Sequence, residues 1–303
     1  MIEVLHAGLC DLVMDQGRPG RGALGVPVGG AADPAALAAA NRLVGNDAAA
    51  AGLEISLKGP SLRFPLGGVV ALTGARFAAT RSSGAALAWN ETLVLAAGET
   101  LNLEWAEAGC RCWLALRGGL ALPQVMGSRS TFLPAGFGGH LGRALRAGDA
   151  LASGTQSGGV QLLRARAPSS AQDALLRVVA GPQIGQFDDI GLAAFFTGTY
   201  RVGAASDRRG LRLSGPTVSH MRAELPSQGV LPGAVQVPPD GQPIILAWDG
   251  PVTGGYPVIA AVITADLPKL AQLWPGDAVR FVTLELERAR ALAAAQWKIE
   301  ELA

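Results

Sequence analysis

The sequence predicts a mainly β protein with two β-rich domains and a few short helices. Most of the 303 residues fall into short apolar runs broken by turn residues, such as 61–74 and 93–105, and this rhythm is typical of antiparallel strands in barrels or sandwiches. The 41 glycines and 19 prolines are scattered without a period, which suits many tight turns. The length is comfortable for two domains of average size, and the 49% of hydrophobic residues allow a substantial core.

The first predicted helix covers 33–44 and follows a glycine-rich turn at 25–32. Asp33 is a good N-cap, because its carboxylate accepts hydrogen bonds from free N–H groups of the first turn. Pro34 suits the first helical position, and Gly45 can adopt the left-handed conformation that ends a helix. A glycine loop before a helix N-terminus is also where anions bind, so the segment is either an anion site or a structural joint.

Two later segments also have helical character. One begins near Ala265 and ends at Pro275 and Gly276, a pair of residues typical of a helix end. The other is the C-terminal stretch 284–303, which is rich in alanine, leucine, arginine and glutamate and is therefore predicted to finish as a helix.

The chain changes composition near its middle, and this change predicts a domain boundary. Residues 155–174 are small and polar with a Pro-Ser-Ser centre, as in a linker. We therefore predict an N-terminal β-barrel-like domain at 1–168 and a C-terminal β-barrel domain at 169–303. A Gly-Asp turn leads into a strand near the end of each half, at 145–154 and 273–282, which is weak support for two related domains.

The charge balance excludes some partners. The net charge is +1 and charged residues make up 16% of the chain, so no long-range field attracts nucleic acid or an anionic membrane. No secretory signal and no apolar run of membrane-spanning length is visible. Three cysteines are an odd count, which argues against a disulfide framework. These features predict a cytoplasmic protein.

The first candidate site is the loop at 15–22, which contains Asp15, Arg18 and Arg21 among glycines. Arginines on a glycine loop can hold a carboxylate or phosphate in a fork. The alternative is a solvated turn with charged residues, because loops are polar by default.

The second candidate site is the arginine-rich segment 206–216. In a strand, Arg208 and Arg212 would face one side with Gly210 between them, and that spacing could hold an anion. The alternative is an exposed strand edge protected by charge.

The third candidate site is a pair of Gly/Pro-rich loops, 228–243 and 249–257, on either side of a buried-looking run. Neutral hydrogen-bonding side chains that suit an amide-like substrate occur in these loops: Gln228, Gln236, Thr253 and Tyr256. The alternative is a pair of hairpin loops without a ligand.

Several well-known signatures are missing. There is no nucleotide-binding P-loop and no G-x-S-x-G nucleophile motif. The histidines His6, His140 and His220 lie far apart, so no metal site is predicted. Cys110 and Cys112 are interpreted as buried free thiols. No lysine has the context of a biotin attachment site, so we expect no covalent biotin on this chain.

Motifs along nearly the whole chain resemble, in the same order, the KipA family. This family is also known as allophanate hydrolase subunit 2, or as the C subunit of 5-oxoprolinase, and is biotin-dependent carboxyltransferase-like. The matching segments are D-x-G-R-x-G from Asp15, GVPVGGAAD, AANRLVGN, Leu53–Glu54, KGPSLRF, RGGL, MGSRSTFLPAGFGG, GPQ at 181–183, SDRRGLRLSGP, PGAVQVPPDGQPI and TGGYPVIA.

The resemblance implies two cyclophilin-like β-barrel domains and a multi-subunit enzyme. Under the first function that the resemblance implies, the chain is the C subunit of an ATP-dependent 5-oxoprolinase, with a KipI-like B subunit and a LamB/YcsF-like A subunit. ATP and Mg would then be used at the level of the complex, with a small amide as substrate. Two alternatives remain open: a carboxyltransferase that uses carboxybiotin from another protein and acts on urea, and a non-enzymatic regulator that binds a KipI-like kinase inhibitor.

The 5-oxoprolinase function also implies roles for individual residues. Cationic groups would stabilise phosphate charge, and neutral groups would bind the lactam amide. The expected catalytic residues are Asp15, Arg18, Arg208 and Gln236. The expected substrate-binding residues are Arg129, Asp207, Gln228, Thr253 and Tyr256. Asp33, Asn41 and Glu54 either brace the joint or face a cleft, and bracing is the favoured interpretation for Asp33.

Overall fold

The computed structural model describes residues 1–155, 158–167, 175–221, 225–292 and 298–302, and it is mainly β, which confirms the predicted fold class. The strands of the first part of the chain are β1 (Ile2–His6), β2 (Cys10–Met14), β3 (Gly52–Ser56), β4 (Ser61–Phe64), β5 (Gly68–Gly74), β6 (Phe77–Arg81), β7 (Leu93–Leu95), β8 (Glu99–Ala106), β9 (Arg111–Leu116), β10 (Ala150–Leu151) and β11 (Leu163–Arg166). Those of the second part are β12 (Leu175–Ala180), β13 (Tyr200–Val202), β14 (Gly210–Ser214), β15 (Gln228–Gly229), β16 (Ala234–Gln236), β17 (Ile244–Leu246), β18 (Thr253–Gly254), β19 (Val258–Val262), β20 (Ala278–Thr283) and β21 (Lys298–Glu301). The α-helices are α1 (Pro34–Leu43), α2 (Asp189–Thr197), α3 (Leu267–Leu270) and α4 (Leu286–Ala291).

The chain forms two compact units. Unit 1 comprises Met1–Arg18, Gly29–Ser169 and Gln296–Ala303, and unit 2 comprises Pro19–Val28 and Ser170–Ala295. The linker centre predicted at 168–170 lies outside the described residues, and the boundary between 168 and 169 stays a prediction.

Unit 1 consists of two five-stranded sheets with a shared apolar core. The strand orders are β10-β1-β4-β8-β6 and β2-β3-β9-β5-β7. Alternate residues of both sheets contribute to one buried cluster, whose members include Ile2, Val4, Leu53, Ile55, Leu62, Phe64, Val70, Leu72, Leu101, Leu103, Cys112 and Leu114. The second sheet is buried on both faces, because α1 packs against the outer side of β5 and β9.

Helix α1 begins and ends where the sequence predicts. Asp33 accepts hydrogen bonds from the N–H groups of Ala35 and Ala36, both at 3.0 Å, and Pro34 occupies the first turn. Gly45 follows the helix with φ of 74°, a conformation that costs glycine no side-chain clash. The buried face of the helix is made of Ala36, Leu37, Ala39, Ala40, Asn41 and Leu43.

Unit 2 is a closed barrel of seven strands in the order β12-β19-β16-β17-β14-β13-β20. β12 and β20 pair in parallel and close the barrel. β15 and β18 form a separate two-stranded ribbon, with Gln228 opposite Gly254 and Gly229 opposite Thr253. This ribbon carries the candidate site described below.

The C-terminal segment does not finish as a helix, which corrects the prediction for 284–303. Among the described residues of this segment, a helix is present at Leu286–Ala291, whereas Lys298–Glu301 pairs antiparallel with β11 in unit 1. Helix propensity is a weak preference, and here the backbone hydrogen bonds offered by β11 override it. The helix predicted near Ala265 is also shorter than expected, with its α-helical part at Leu267–Leu270.

Candidate functional site

The Asp15 carboxylate organises a loop of unit 1 instead of facing solvent. It is 7% exposed. Oδ1 accepts hydrogen bonds from Ser128 Oγ and Ser130 Oγ at 2.6 Å and from the Gly17 N–H at 2.9 Å, while Oδ2 accepts the Arg129 N–H at 2.5 Å. With four donors, the carboxylate fixes the course of the loop that contains the two serines.

The two arginines of this region are also bonded to the protein. The Arg18 side chain is 1% exposed, its Nη2 donates to the Ser130 carbonyl, and its guanidinium lies 5.0 Å from the centroid of the Phe137 ring. Arg129 donates from Nε to the Leu122 carbonyl at 2.7 Å. The structure therefore brings Asp15, Arg18 and Arg129 together, as one hydrogen-bonded loop assembly.

Two buried carboxylates, those of Glu54 and Asp33, accept N–H groups where the glycine-rich turn meets α1. Glu54, fully buried, accepts the Ala32 N–H at 2.7 Å and Trp113 Nε1 at 3.2 Å, and its other oxygen lies 3.6 Å from Arg111 Nε. Burial, together with a smaller effect of the Glu54 carboxylate, raises the pKa of Asp33 to about 6, against the lowering effect of its two cap hydrogen bonds. These contacts are those of a structural joint.

Asn41 braces the end of the same joint. Its Nδ2 donates to the Ala50 carbonyl at 2.7 Å, and its Oδ1 accepts from Asn46 Nδ2 at 3.0 Å. Asn41 is fully buried, and its hydrogen bonds hold the chain that follows α1 in place.

Arg208 in unit 2 forms a buried ion pair with Asp249. Nε lies 2.8 Å from Oδ2 and Nη2 lies 3.3 Å from Oδ1, and the two side chains are 8% and 1% exposed. Arg212, in contrast, is exposed, so the expectation that Arg208 and Arg212 share one face is wrong. The reason is local, because β14 starts at Gly210 and Arg208 lies in the turn before it.

Asp207 shapes this same turn. Its Oδ1 accepts the N–H groups of Arg209 at 2.7 Å and Gly210 at 3.3 Å, which is the usual way in which aspartate stabilises a tight turn. Its expected role in substrate binding stays a prediction.

The four neutral residues of the third candidate site do lie together, around the β15–β18 ribbon. Gln228 and Thr253 belong to the ribbon itself. Gln236, on the adjacent barrel strand β16, is 4% exposed and donates from Nε2 to the Tyr256 carbonyl at 3.4 Å. Thr253 and Tyr256 are exposed, so the ribbon has both buried amides and accessible hydroxyl groups.

A third glutamine, which was not among the expected site residues, joins this group. Gln183 Oε1 accepts the Val258 N–H at 3.1 Å, and its Nε2 donates to Gln228 Oε1 at 3.0 Å. In the sequence, Gln183 stands out only as part of the GPQ motif. Its two hydrogen bonds join residues that are 75 and 45 positions apart, so they become visible only in the folded chain. We call Gln183, Gln228 and Gln236 with the β15–β18 ribbon the glutamine site.

The glutamine site depends on a glycine. A Cβ at Gly254 would lie 2.5 Å from Gln236 Nε2, so any side chain there would displace the Gln236 carboxamide. Gly229, the other glycine of the ribbon, has open space around its Cβ position. The two ribbon glycines thus provide a matched pair for mutagenesis.

Arg208 lies away from the glutamine site within unit 2. Gln236 pairs with Ile244 at the first residue of β17, whereas the Arg208 carbonyl accepts the Asp249 N–H beyond the last residue of that strand. Arg208 and Gln236, two of the four expected catalytic residues, are therefore at opposite ends of β17.

Within the described ranges, no group of three or more histidine, cysteine, aspartate or glutamate side chains is placed to hold a metal ion. In the same part of the chain, no helix has both the length and the apolar character needed to cross a membrane.

Comparison with known proteins shows which proteins this chain resembles. The chain is 40% identical over 298 residues to the C subunit of 5-oxoprolinase from Escherichia coli K12, covering 95% of this chain and 93% of that protein. It is 32% identical over 317 residues to the urea amidolyase of Saccharomyces cerevisiae, covering 97% of this chain but 17% of that much longer protein. The crystal structure of the K. lactis urea amidolyase superposes with a TM-score of 0.86 at 33% identity, covering 95% of this chain and 19% of that one.

The similarity extends over both units of the chain. The family model for the carboxyltransferase domain, subdomains A and B, matches residues 24–283. The mainly β fold, the order of the motifs and this match agree. The chain therefore belongs to the carboxyltransferase domain family, subdomains A and B.

Proposed function

We propose that this chain is the C subunit of an ATP-dependent 5-oxoprolinase, which converts 5-oxoproline to glutamate, and that the glutamine site binds the amide of the substrate. The observation that carries the proposal is the convergence of three glutamine carboxamides on one short ribbon. The 40% identity to the corresponding E. coli 5-oxoprolinase chain, over nearly the full length of both chains, supports the choice of substrate.

The proposed chemistry explains why neutral groups suit this chain. A lactam amide is unreactive, and phosphorylation of its oxygen creates a leaving group before hydrolysis. A site that holds the amide needs hydrogen-bond donors and acceptors matched to C=O and N–H, and carboxamides supply both. Gln228 and Gln236 provide them here, and the accessible side chains of Thr253 and Tyr256 line the exposed side of the ribbon.

The phosphate chemistry is better placed at the level of the complex. Stabilisation of developing phosphate charge needs cations that point at the phosphate. The Arg18 guanidinium is buried against Ser130 and Phe137, and that of Arg208 is held by Asp249. Under the proposal, ATP and Mg therefore bind mainly through partner subunits. Asp15, Arg18 and Arg129 shape this chain's own loop.

The partner subunits follow from the same proposal. A KipI-like protein as the B subunit, together with a LamB/YcsF-like protein as the A subunit, completes the enzyme. The name of the bacterial relative describes one subunit of an enzyme, which supports an assembly of several chains.

A second function is favoured by a different observation. Urea amidolyases match nearly all of this chain, in sequence and in structure. Urea presents the same C=O and N–H groups as a lactam, so the glutamine site would serve a carboxyltransferase that uses carboxybiotin from another protein. The non-enzymatic alternative, binding of a KipI-like kinase inhibitor, stays a prediction.

Reconstitution of the complex separates these functions. The full chain is purified with its KipI-like and LamB/YcsF-like partners, and glutamate and ADP are measured with 5-oxoproline and ATP, while urea with carboxybiotin serves as the control. We expect glutamate release that needs all three proteins. Turnover of urea alone would move the assignment to the carboxyltransferase. Stable binding to the KipI-like protein without either activity would favour the regulator.

A further inference from the structure

The hydrogen bonds of the glutamine site fix which way each carboxamide points. The Val258 N–H is a donor only, so the Gln183 atom that it meets at 3.1 Å must be the carbonyl oxygen. The other end of Gln183 is then the NH2 group, which can only donate. It meets Gln228 at 3.0 Å, so the Gln228 atom in that contact must be Oε1.

This relay leaves Gln228 with an unused donor. Its Nε2 is buried and has no hydrogen-bond acceptor within the described residues. Buried polar atoms are nearly always paired in native proteins, and each exception calls for an explanation such as a ligand. The orientation of Gln228 is thus set by Gln183, and it directs an N–H group toward an acceptor that the described part of the chain does not supply.

Gln236 offers the opposite polarity. Its Nε2 donates to the Tyr256 carbonyl, so this contact also fixes the carboxamide orientation. Oε1 is left as an acceptor, and none of the contacts described for this side chain donates to it. Gln228 therefore presents a donor and Gln236 presents an acceptor.

Both groups lie on the same side of the ribbon. Gln228 is directly opposite Gly254 in the ribbon, and residues directly opposite each other point their side chains to the same face. The Cβ direction of Gly254 points at Gln236, at 2.5 Å from Nε2 and 3.4 Å from Oε1. The Gln228 side chain and the Gln236 carboxamide therefore lie on the same face of the ribbon, and the Gln236 carboxamide packs directly against Gly254.

We propose that Gln228 Nε2 and Gln236 Oε1 form a donor–acceptor pair that binds the C=O and N–H of a cis amide, and that Gln183 is the positioning residue that sets its polarity. A lactam and urea both present C=O and N–H along one edge, whereas an N-alkyl lactam lacks the N–H. The ribbon has only two residues in each strand, so its displacement to admit this edge disturbs few contacts. The inference rests on the proposed function and specifies how the substrate is recognised.

The substitution Gln183→Glu tests the relay. The introduced carboxylate still accepts the Val258 N–H, but its second oxygen can no longer donate to Gln228. Gln228 then rotates to donate from Nε2 to this carboxylate and turns Oε1 toward the ligand. The ligand carbonyl loses its donor and meets an acceptor, so we expect the Kd for 2-pyrrolidinone and the KM for 5-oxoproline to rise about 10- to 100-fold.

Two measurements control this experiment. Gln186→Glu adds the same charge three residues further along the same turn and should leave Kd and KM unchanged. Thermal unfolding checks that Gln183→Glu folds like the unchanged chain.

On the unchanged chain, the Gln228 side-chain NH2 resonance should shift with 2-pyrrolidinone or 5-oxoproline, and N-methyl-2-pyrrolidinone should bind at least about ten times more weakly.

The outcomes distinguish the inference from the function on which it rests. Amide binding that depends on Gln183, in a chain whose reconstituted complex turns over no substrate, would retain the inference and refute the proposed function. Turnover of 5-oxoproline with an unchanged KM in Gln183→Glu would refute the inference and retain the function. Equal binding of the N-methyl compound, or no binding of any amide by the full chain, would also overturn the inference.

Discussion

The ion pair between Arg208 and Asp249 gives the strongest stability prediction. Both side chains are almost fully buried, and their two contacts measure 2.8 and 3.3 Å. Removal of one partner of a buried pair takes away the main compensation for the desolvated charge of the other, which typically destabilises a protein by about 3–5 kcal/mol. We therefore expect Asp249→Leu to lower the free energy of unfolding by about 3–5 kcal/mol, or the melting temperature by about 6–20 °C.

Replacement of both charges should be much less harmful. In the double variant Arg208→Met and Asp249→Leu, apolar groups of similar size fill the site and no charge stays buried. The backbone hydrogen bond from the Asp249 N–H to the Arg208 carbonyl, at 2.9 Å, does not depend on the side chains. We expect the double variant to be at least about 2 kcal/mol more stable than Asp249→Leu.

Equilibrium unfolding in urea, followed by tryptophan fluorescence, measures both effects. Trp248 is 9% exposed and adjacent to Asp249, so it reports on unit 2. A loss below about 1 kcal/mol in Asp249→Leu, or a double variant as unstable as the single one, would refute the reasoning. If the double variant is stable but its complex is inactive, Arg208 acts in the reaction as well as in the fold.

Three further predictions concern unit 1. Asp33→Ala removes the acceptor of two first-turn N–H groups and should lower the free energy of unfolding by about 1 kcal/mol in urea titrations, with a smaller loss in Asp33→Asn. Glu54→Ala leaves the Ala32 N–H and Trp113 Nε1 without their buried acceptor and should lower the free energy of unfolding by about 3 kcal/mol. A loss below about 1 kcal/mol would contradict the structural role of Glu54 before α1. Burial raises the pKa of Asp11 from 3.8 to about 7, so the folded state favours the protonated carboxyl group. The stability that this protonation contributes is fully present below about pH 4 and is lost as the pH rises through 7. Asp11→Asn should therefore gain stability relative to the unchanged chain between pH 4 and 8, and parallel pH profiles of the two would contradict this assignment.

Local features of the fold could be predicted from the sequence. Asp33, Pro34 and Gly45 specify the limits of α1 because caps and stops act within one turn of the chain. The alternation of apolar runs and turns predicts strands for a similar reason. The interpretation of Cys110 and Cys112 as buried free thiols is confirmed as well.

Features that depend on distant residues could not be predicted in the same way. Lys298–Glu301 has helix-forming composition, yet it pairs with β11 more than 130 residues earlier in the sequence. Arg208 was selected as a cation, but the position of its partner Asp249 appears only after β14 and β17 pair. The sequence groups the loops with Gln228, Gln236, Thr253 and Tyr256 in one candidate site, but the contact of Gln183 with Gln228 required the folded ribbon.

The central claim is that the glutamine site binds the amide substrate of a 5-oxoprolinase, and the two ribbon glycines test it most directly. The measurement is glutamate formation from 5-oxoproline and ATP by the reconstituted complex containing Gly254→Ala or Gly229→Ala. A Cβ at Gly254 displaces the Gln236 carboxamide from the ligand, while one at Gly229 meets open space. We predict that Gly254→Ala raises KM for 5-oxoproline at least about tenfold with an unchanged melting temperature, and that Gly229→Ala behaves like the unchanged chain. Equal kinetics of the two variants in an active complex would contradict the claim.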